Sequence, residues 1–268
     1  MRKTLLALLA VLSAVPSGVT HPADSPPYQS PGTRKMAALL VKIYNDQDWK
    51  TDPSKDARRA QYFQSMLDAK PPFDKELLIR KSIADTLLRA GDSAKAVEQL
   101  EKIRSLSREK NFPLASKFEK EVRDALAISY LRLGEQENCL AMHGQESCIF
   151  PLHGAAVHQA TRGAEGAIRE FSAALEQNSK DLKSRWLLNI AYMALGLYPQ
   201  DVPPRWLIPP STFASDADIG SFKDVAPSAS ILTNGRSGGV VMEDLDSDGL
   251  LDLVVSSSGP LDQIRYFH

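Results

Sequence analysis

The residues with the clearest capacity for chemistry stand near the C-terminus, in the stretch EDLDSDGLLDLVV. Its aspartates Asp244, Asp246, Asp248 and Asp252 follow the spacing D-x-D-x-D-G-x-x-D. Carboxylates this close together repel one another unless a cation neutralises them, and clustered oxygen ligands suit calcium. The backbone carbonyl of Leu250 is a further candidate ligand. We therefore predict a calcium-binding loop, with a merely solvated acidic turn as the alternative.

The segments on either side of this loop favour strands. Apolar residues in short runs predict strands over Gly239–Asp244, Leu250–Ser256 and Gln263–Phe267. An EF-hand would need flanking helices and a glutamate at loop position 12, whereas Val255 stands at that position here. The loop is therefore expected to turn inside a β-hairpin, with Gly249 allowing the sharp bend.

Upstream, residues 35–198 have the apolar periodicity of helices, and helix-breaking residues occur only between the periodic segments. This pattern predicts a mainly α protein that ends in a short β segment. The predicted helices are Met36–Tyr44, Ser54–Ala69, Asp74–Ala90, Ala94–Glu109, Pro113–Leu133, Ala155–Ala160, Ala164–Gln177 and Lys180–Leu195.

Several pieces of this helical region are similar to one another, among them SIADTLLRAGDSAKAVEQLEKI and AEGAIREFSAALEQN. Small residues such as Ala96 and Ala167 alternate with large ones such as Leu100 and Phe171. These pieces resemble the tetratricopeptide repeat, in which small residues permit close helix crossing. The resemblance implies an α-solenoid whose concave face binds a protein or peptide partner. The alternatives are an unrelated helical bundle and a spacer that holds another domain.

An insertion over residues 138–154 interrupts the repeats and holds both cysteines, Cys139 and Cys148. In an exported chain, an even pair at short spacing is most simply a disulfide. His143, His153 and His158 lie nearby, so a zinc or copper site is one alternative, although their spacing matches no standard zinc motif. Free thiols are the other alternative.

The N-terminus predicts export. Two basic residues, an apolar run from Leu5 to Val15 and then Pro16 with small residues are typical of a signal peptide, which we place at residues 1–20. Residues 21–34 are rich in proline and are expected to be a disordered spacer. No membrane span is expected after signal cleavage, so the predicted location is secreted or periplasmic. A net charge of -1 gives no indication of nucleic-acid binding.

A proline-rich connector over residues 199–221 follows the last predicted helix. It contains Trp206, Leu207, Ile208 and Phe213, which are too apolar for a free tether. We therefore expect the connector to pack along the end of the helical repeats.

Residues 222–268 carry a second resemblance. The stretch SGGVVMEDLDSDGLLDLVVSS resembles one FG-GAP, or VCBS, repeat, and FKDVAPSASI ahead of it is similar to the lead-in found in secreted bacterial proteins of the cartilage acidic protein family. The resemblance implies an incomplete first blade of a β-propeller, with the four aspartates as structural calcium ligands. Because a lone blade cannot bury its faces, we expect a fragment of a longer chain, the alternative being a short appendage on the solenoid.

Residues 235–239 spell G-x-S-x-G, the nucleophile elbow of serine hydrolases. An elbow needs a helix after the serine, whereas a strand is predicted there, and the chain has no P-loop, dinucleotide fingerprint or H-E-x-x-H motif. The predicted function is that of an exported, non-enzymatic protein-interaction or scaffold protein. The alternative is a protein that binds or degrades extracellular polysaccharide through a propeller whose active part lies beyond this chain.

Overall fold

The computed structural model of the protein describes residues 30–50, 52, 55–139, 146, 147, 149–217, 220, 222–233, 237–258 and 264–268. Within these residues the protein is mainly helical, with seven α-helices followed by a short antiparallel sheet of three strands. The predicted fold class is confirmed at that level. The predicted signal peptide lies outside the described residues. No described helix combines the length and the apolar character needed to cross a membrane.

The chain divides into two compact units, and the first ends at Asp46 with helix α1, Pro31–Asp46. The first helix, predicted at Met36–Tyr44, is longer than expected and begins at Pro31. Ser30 Oγ accepts a hydrogen bond from the Thr33 amide at 3.1 Å, and Pro31 takes the first helical position, where its missing amide hydrogen costs nothing. Proline therefore begins this helix and does not interrupt it.

The second unit, Gln47–His268, contains the remaining helices, and each packs mainly against the helices before and after it in the sequence. Gly91, at φ 88°, closes one helix in a left-handed conformation, and Asp92 then caps the next helix by accepting a hydrogen bond from the Lys95 amide at 3.2 Å. The helices are α2 (Asp56–Asp68), α3 (Phe73–Ala90), α4 (Ser93–Glu109), α5 (Ser116–Asn138), α6 (Arg162–Gln177) and α7 (Leu182–Ala194).

Two apolar clusters form the core of the helical region, and α5 contributes to both of them. Apolar surface is therefore buried continuously from α3 to α7. The first cluster contains Leu77, Ala84, Ala96, Leu100, Ile103, Val122 and Leu126. The second contains Ala127, Leu131, Ala167, Phe171, Leu175, Leu188, Ala191 and Trp206.

Glycine at position 163 allows α5 and α6 to approach each other closely. A side chain on Gly163 would overlap the backbone of Gly134, so the two helices cross at close range. The predicted end of the fifth helix at Leu133 was therefore wrong: Gly134 lies inside α5, which continues to Asn138. The helix predicted at Ala155–Ala160 was also wrong, since only one 3-10 turn, Gly154–Ala156, forms there.

The connector after α7 packs against that helix. Trp206 is only 4% exposed and belongs to the second core cluster. The Arg185 guanidinium donates to the Trp206 carbonyl at 3.1 Å, and Asn189 donates to the same carbonyl at 2.9 Å. The Asn189 side-chain oxygen also accepts from the Ile208 amide at 3.0 Å. This part of the connector is therefore held by the helical region.

The sheet comprises β1 (Ser237–Glu243), β2 (Asp252–Ser257) and β3 (Arg265–Phe267), in that order and all antiparallel. Glu243 pairs with Asp252, so residues 244–251 form the loop of the β1–β2 hairpin. The predicted hairpin around the aspartates is thus present.

Candidate metal centre

Backbone amides organise the aspartate loop. The Asp248 amide donates to Asp244 Oδ1 and Asp246 Oδ1, both at 3.1 Å, and the Gly249 amide donates to Asp244 Oδ2 at 3.0 Å. The Leu250 amide donates to Asp248 Oδ1 at 2.8 Å. Gly249 has φ 88°, which favours glycine at this bend. The loop backbone therefore directs several carboxylates inward.

The predicted ligands fall into two overlapping groups, each with possible ligand atoms within 4.8 Å of one another. One group is Asp244, Asp246 and Asp248, and the other is Asp246, Asp252 and His268. Carboxylate oxygens in this number fit a hard cation such as calcium. Exposed acidic clusters are also common in proteins that bind no ion, so the grouping does not identify calcium.

His268, which was not among the predicted ligands, also belongs to this site. Its Nδ1 lies 3.2 Å from both Asp246 Oδ2 and Asp252 Oδ1, and its Nε2 lies 3.7 Å from Asp248 Oδ2. The hydrogen bond with Asp252, together with the charges of Asp246 and Asp248, raises the pKa of His268. The imidazole thus stands where three carboxylates converge, a position that favours positive charge.

Asp252 differs from the other three aspartates because it is only 2% exposed. Burial alone would raise the pKa of Asp252, but hydrogen bonds from the Leu245 amide, Tyr266 and His268 lower it overall. The hydrogen bond with Asp252 in turn raises the pKa of Tyr266 to about 12. Ionised Asp252 therefore accepts hydrogen bonds both from the loop and from Tyr266 of β3, and it links the two.

At the end of α5, Cys139 Sγ lies 3.5 Å from His158 Nε2. His158 is 6% exposed, and its Nδ1 has no hydrogen-bond partner within the described residues. Burial lowers the pKa of His158, opposed by the charge of Glu135. Cys148 and His143 lie outside the described residues, so the disulfide and its alternatives stay predictions.

His153 does not join Cys139 and His158; its Nδ1 instead lies 2.9 Å from the Pro151 carbonyl oxygen. In the G-x-S-x-G stretch, Ser237 is the first residue of β1, and Gly235 and Arg236 lie outside the described residues. A strand therefore follows the serine, where a nucleophile elbow has a helix.

Comparison with protein-family models, with curated proteins and with solved structures found no match. The resemblances to tetratricopeptide and FG-GAP repeats are therefore still predictions. The function has to be inferred from the residues of this chain and their geometry.

Proposed function

We propose that the protein is an exported, non-enzymatic protein-interaction or scaffold protein whose helical repeats bind a protein or peptide partner. The observation that carries the proposal is the serial packing of α2 to α7, in which each helix mainly contacts its neighbours in the sequence. Helical hairpins stacked in series bury a shared core and leave extended helix faces for partners.

Residue sizes at the helix crossings support a tetratricopeptide-like solenoid. Ala96, Ala167 and Ala191 are fully buried in the two core clusters. Leu100 and Phe171 fill the space beside them. Small residues at the crossings and large ones between them are the pattern that defines the proposed repeat.

We propose that the aspartate loop is a structural calcium site in a partial FG-GAP repeat. Asp244, Asp246, Asp248 and Asp252 would supply carboxylate oxygens, and Leu250 its carbonyl oxygen. A bound calcium ion would supply the positive charge that relieves repulsion among the carboxylates. Because these residues belong to the β1–β2 hairpin, their role is to hold the hairpin together.

The composition of the sheet supports its role as a blade of a larger β-structure. Val240 and Val241 are 63% and 57% exposed. Successive strand residues point to opposite faces, so apolar side chains are exposed on both faces of the sheet. Exposed apolar surface on both sides favours coverage by neighbouring sheets, as in the proposed propeller.

Site-specific photo-crosslinking in the exporting cells tests the proposed interaction. A photoreactive amino acid at Lys102, an exposed position of α4, should yield a discrete adduct of higher mass with the partner. The same probe at Val240, on the sheet, is the matched control. If no position on α2 to α7 yields an adduct, the proposal is wrong.

Polysaccharide binding is the second candidate, and a group of aromatic side chains favours it. Trp186 lies between Phe150 and Phe213, with ring centroids 6.1 and 5.7 Å away. Phe150 and Trp186 are both 39% exposed, and aromatic faces of this kind can stack on sugar rings. Retarded migration of the full chain in polysaccharide-containing native gels, lost in Trp186→Ala, would support this candidate; unretarded migration would exclude the polysaccharides tested.

A further inference from the structure

A cavity of ≈ 390 Å³ opens between α4, α5 and α6, within the volume range of small-ligand sites. Its apolar lining includes Val97 of α4 and Tyr130 and Leu133 of α5. Gly166 of α6 makes room for the Tyr130 ring, because a side chain there would overlap it. The cavity therefore has an apolar wall that an aliphatic chain can contact.

Two arginines on α6 also line this cavity, and both already have anionic partners. Arg162 forms a bidentate ion pair with Glu137. Arg169 Nε lies 3.0 Å from Glu170 Oε1, and its guanidinium lies 5.1 Å from the centre of the Tyr130 ring. An anionic ligand would therefore have to displace carboxylates that already occupy these guanidinium groups.

The two carboxylates that line the cavity differ from the two arginines in their ion pairing. Glu98 and Glu165 are exposed, and neither forms an ion pair within the described part of the chain. Lys95, one turn before Glu98, is bound to Asp92 at 2.6 Å. The charges around the cavity therefore do not balance.

The net charge around the cavity is negative. The cavity-lining charges, their ion-pair partners and Arg104, which pairs with the partner Glu170, comprise three guanidinium groups and five carboxylates, an excess of two negative charges. The guanidinium groups are those of Arg104, Arg162 and Arg169, and the carboxylates are those of Glu98, Glu101, Glu137, Glu165 and Glu170.

We infer that this cavity receives a basic side chain, lysine or arginine, from an extended segment of the partner protein. The aliphatic part of that side chain would lie against Val97, Leu133 and Tyr130, and its charge would meet Glu98 and Glu165. The inference rests on the proposed function and adds to it the chemistry of the partner. Phosphate-bearing partners do not fit, because the unpaired carboxylates repel them.

Methyl NMR on the full chain tests the inference, with acetylated and amidated pentapeptides Gly-Ala-X-Ala-Gly as probes. We expect the peptides with X = Lys or Arg to shift the methyl signals of Val97 and Leu133. Their Kd should be about tenfold lower than that of the X = Gln peptide, and the X = Glu peptide should cause no shift. Binding should weaken with added salt, because exposed charges are screened.

The double variant Glu98→Gln/Glu165→Gln should raise the Kd of the lysine peptide about tenfold. Glu109→Gln/Glu121→Gln removes two exposed carboxylates elsewhere on α4 and α5 and should leave the Kd unchanged. An unchanged circular dichroism spectrum and Tm establish that the variants fold.

Unaltered lysine-peptide binding in Glu98→Gln/Glu165→Gln would overturn the inference. Equal binding of the glutamate peptide, or no shift with any of the four peptides, would overturn it as well. None of these results would contradict the proposed function as long as crosslinking at α4 still captures a partner. Loss of all crosslinks would instead contradict the proposed function itself.

Discussion

Asn189 fastens the connector to α7, and the variant Asn189→Ala tests that role. The side chain is fully buried; it donates to the carbonyls of Arg185 and Trp206 and accepts from the Ile208 amide. Alanine leaves the Ile208 amide without its acceptor, which costs about 1–3 kcal/mol. The lost bond to the Trp206 carbonyl adds about 1 kcal/mol. That carbonyl keeps its bond from Arg185, so we expect a total loss of about 2–4 kcal/mol.

Urea unfolding at 25 °C followed by tryptophan fluorescence measures this loss. The transition midpoint should fall while the m value stays the same, because the surface exposed on unfolding hardly changes. Gln177→Ala, at the exposed end of α6, is the control and should change the free energy of unfolding by no more than about 0.5 kcal/mol. If Asn189→Ala is no more destabilising than this control, the connector is not held by the contacts described.

Further predictions concern the loop, a buried histidine and the helix crossing. Calcium should raise the Tm of the full chain in scanning calorimetry, and Asp248→Ala should abolish the rise; a rise that survives in the variant would contradict the ligand assignment. Because burial lowers the pKa of His158, the unfolded chain takes up the proton first, so stability should fall as the pH drops below 6.5 towards the folded-state pKa. The free energy of unfolding, measured by urea unfolding at several pH values, should decline less with falling pH in His158→Gln. An equal decline in this variant would contradict the role given to His158. Gly163→Ala should cost about 3 kcal/mol in the same assay, because its new methyl group would overlap the backbone of Gly134. Gly239→Ala has room for its methyl group, so it should cost much less, and equal losses would contradict the close crossing.

The positions of the helices could be predicted because apolar periodicity is local. Apolar periodicity predicted the third helix at Asp74–Ala90, and α3 spans Phe73–Ala90. The end of α5 could not be found in this way. Gly134 directly follows the predicted helix end at Leu133, yet it lies inside α5, where a side chain would come within 3.2 Å of the His158 ring. A contact between residues this far apart in the sequence leaves no local pattern.

The same limit applies to the candidate site. Asp244, Asp246 and Asp248 lie within one loop and Asp252 directly follows it, so their spacing alone indicated that they would meet. His268 reaches them because Leu253 pairs with Phe267, which brings residue 268 opposite Asp252. Cys139 and His158 likewise meet only after the chain has returned from the insertion. Contacts that depend on the pairing of strands or of distant segments leave no pattern in the local sequence.

Hydrogen–deuterium exchange tests the role of the helical region most directly. Exchange should be measured on the full chain alone and on the full chain mixed with the partner that crosslinking identifies. We expect slower exchange in α4, α5 and α6 when the partner is bound, because a docked partner restricts local opening there. The strands β1 to β3 should exchange at the same rate in both samples. Protection confined to residues 237–268, with none in the helices, would contradict the proposal that the helical repeats bind the partner.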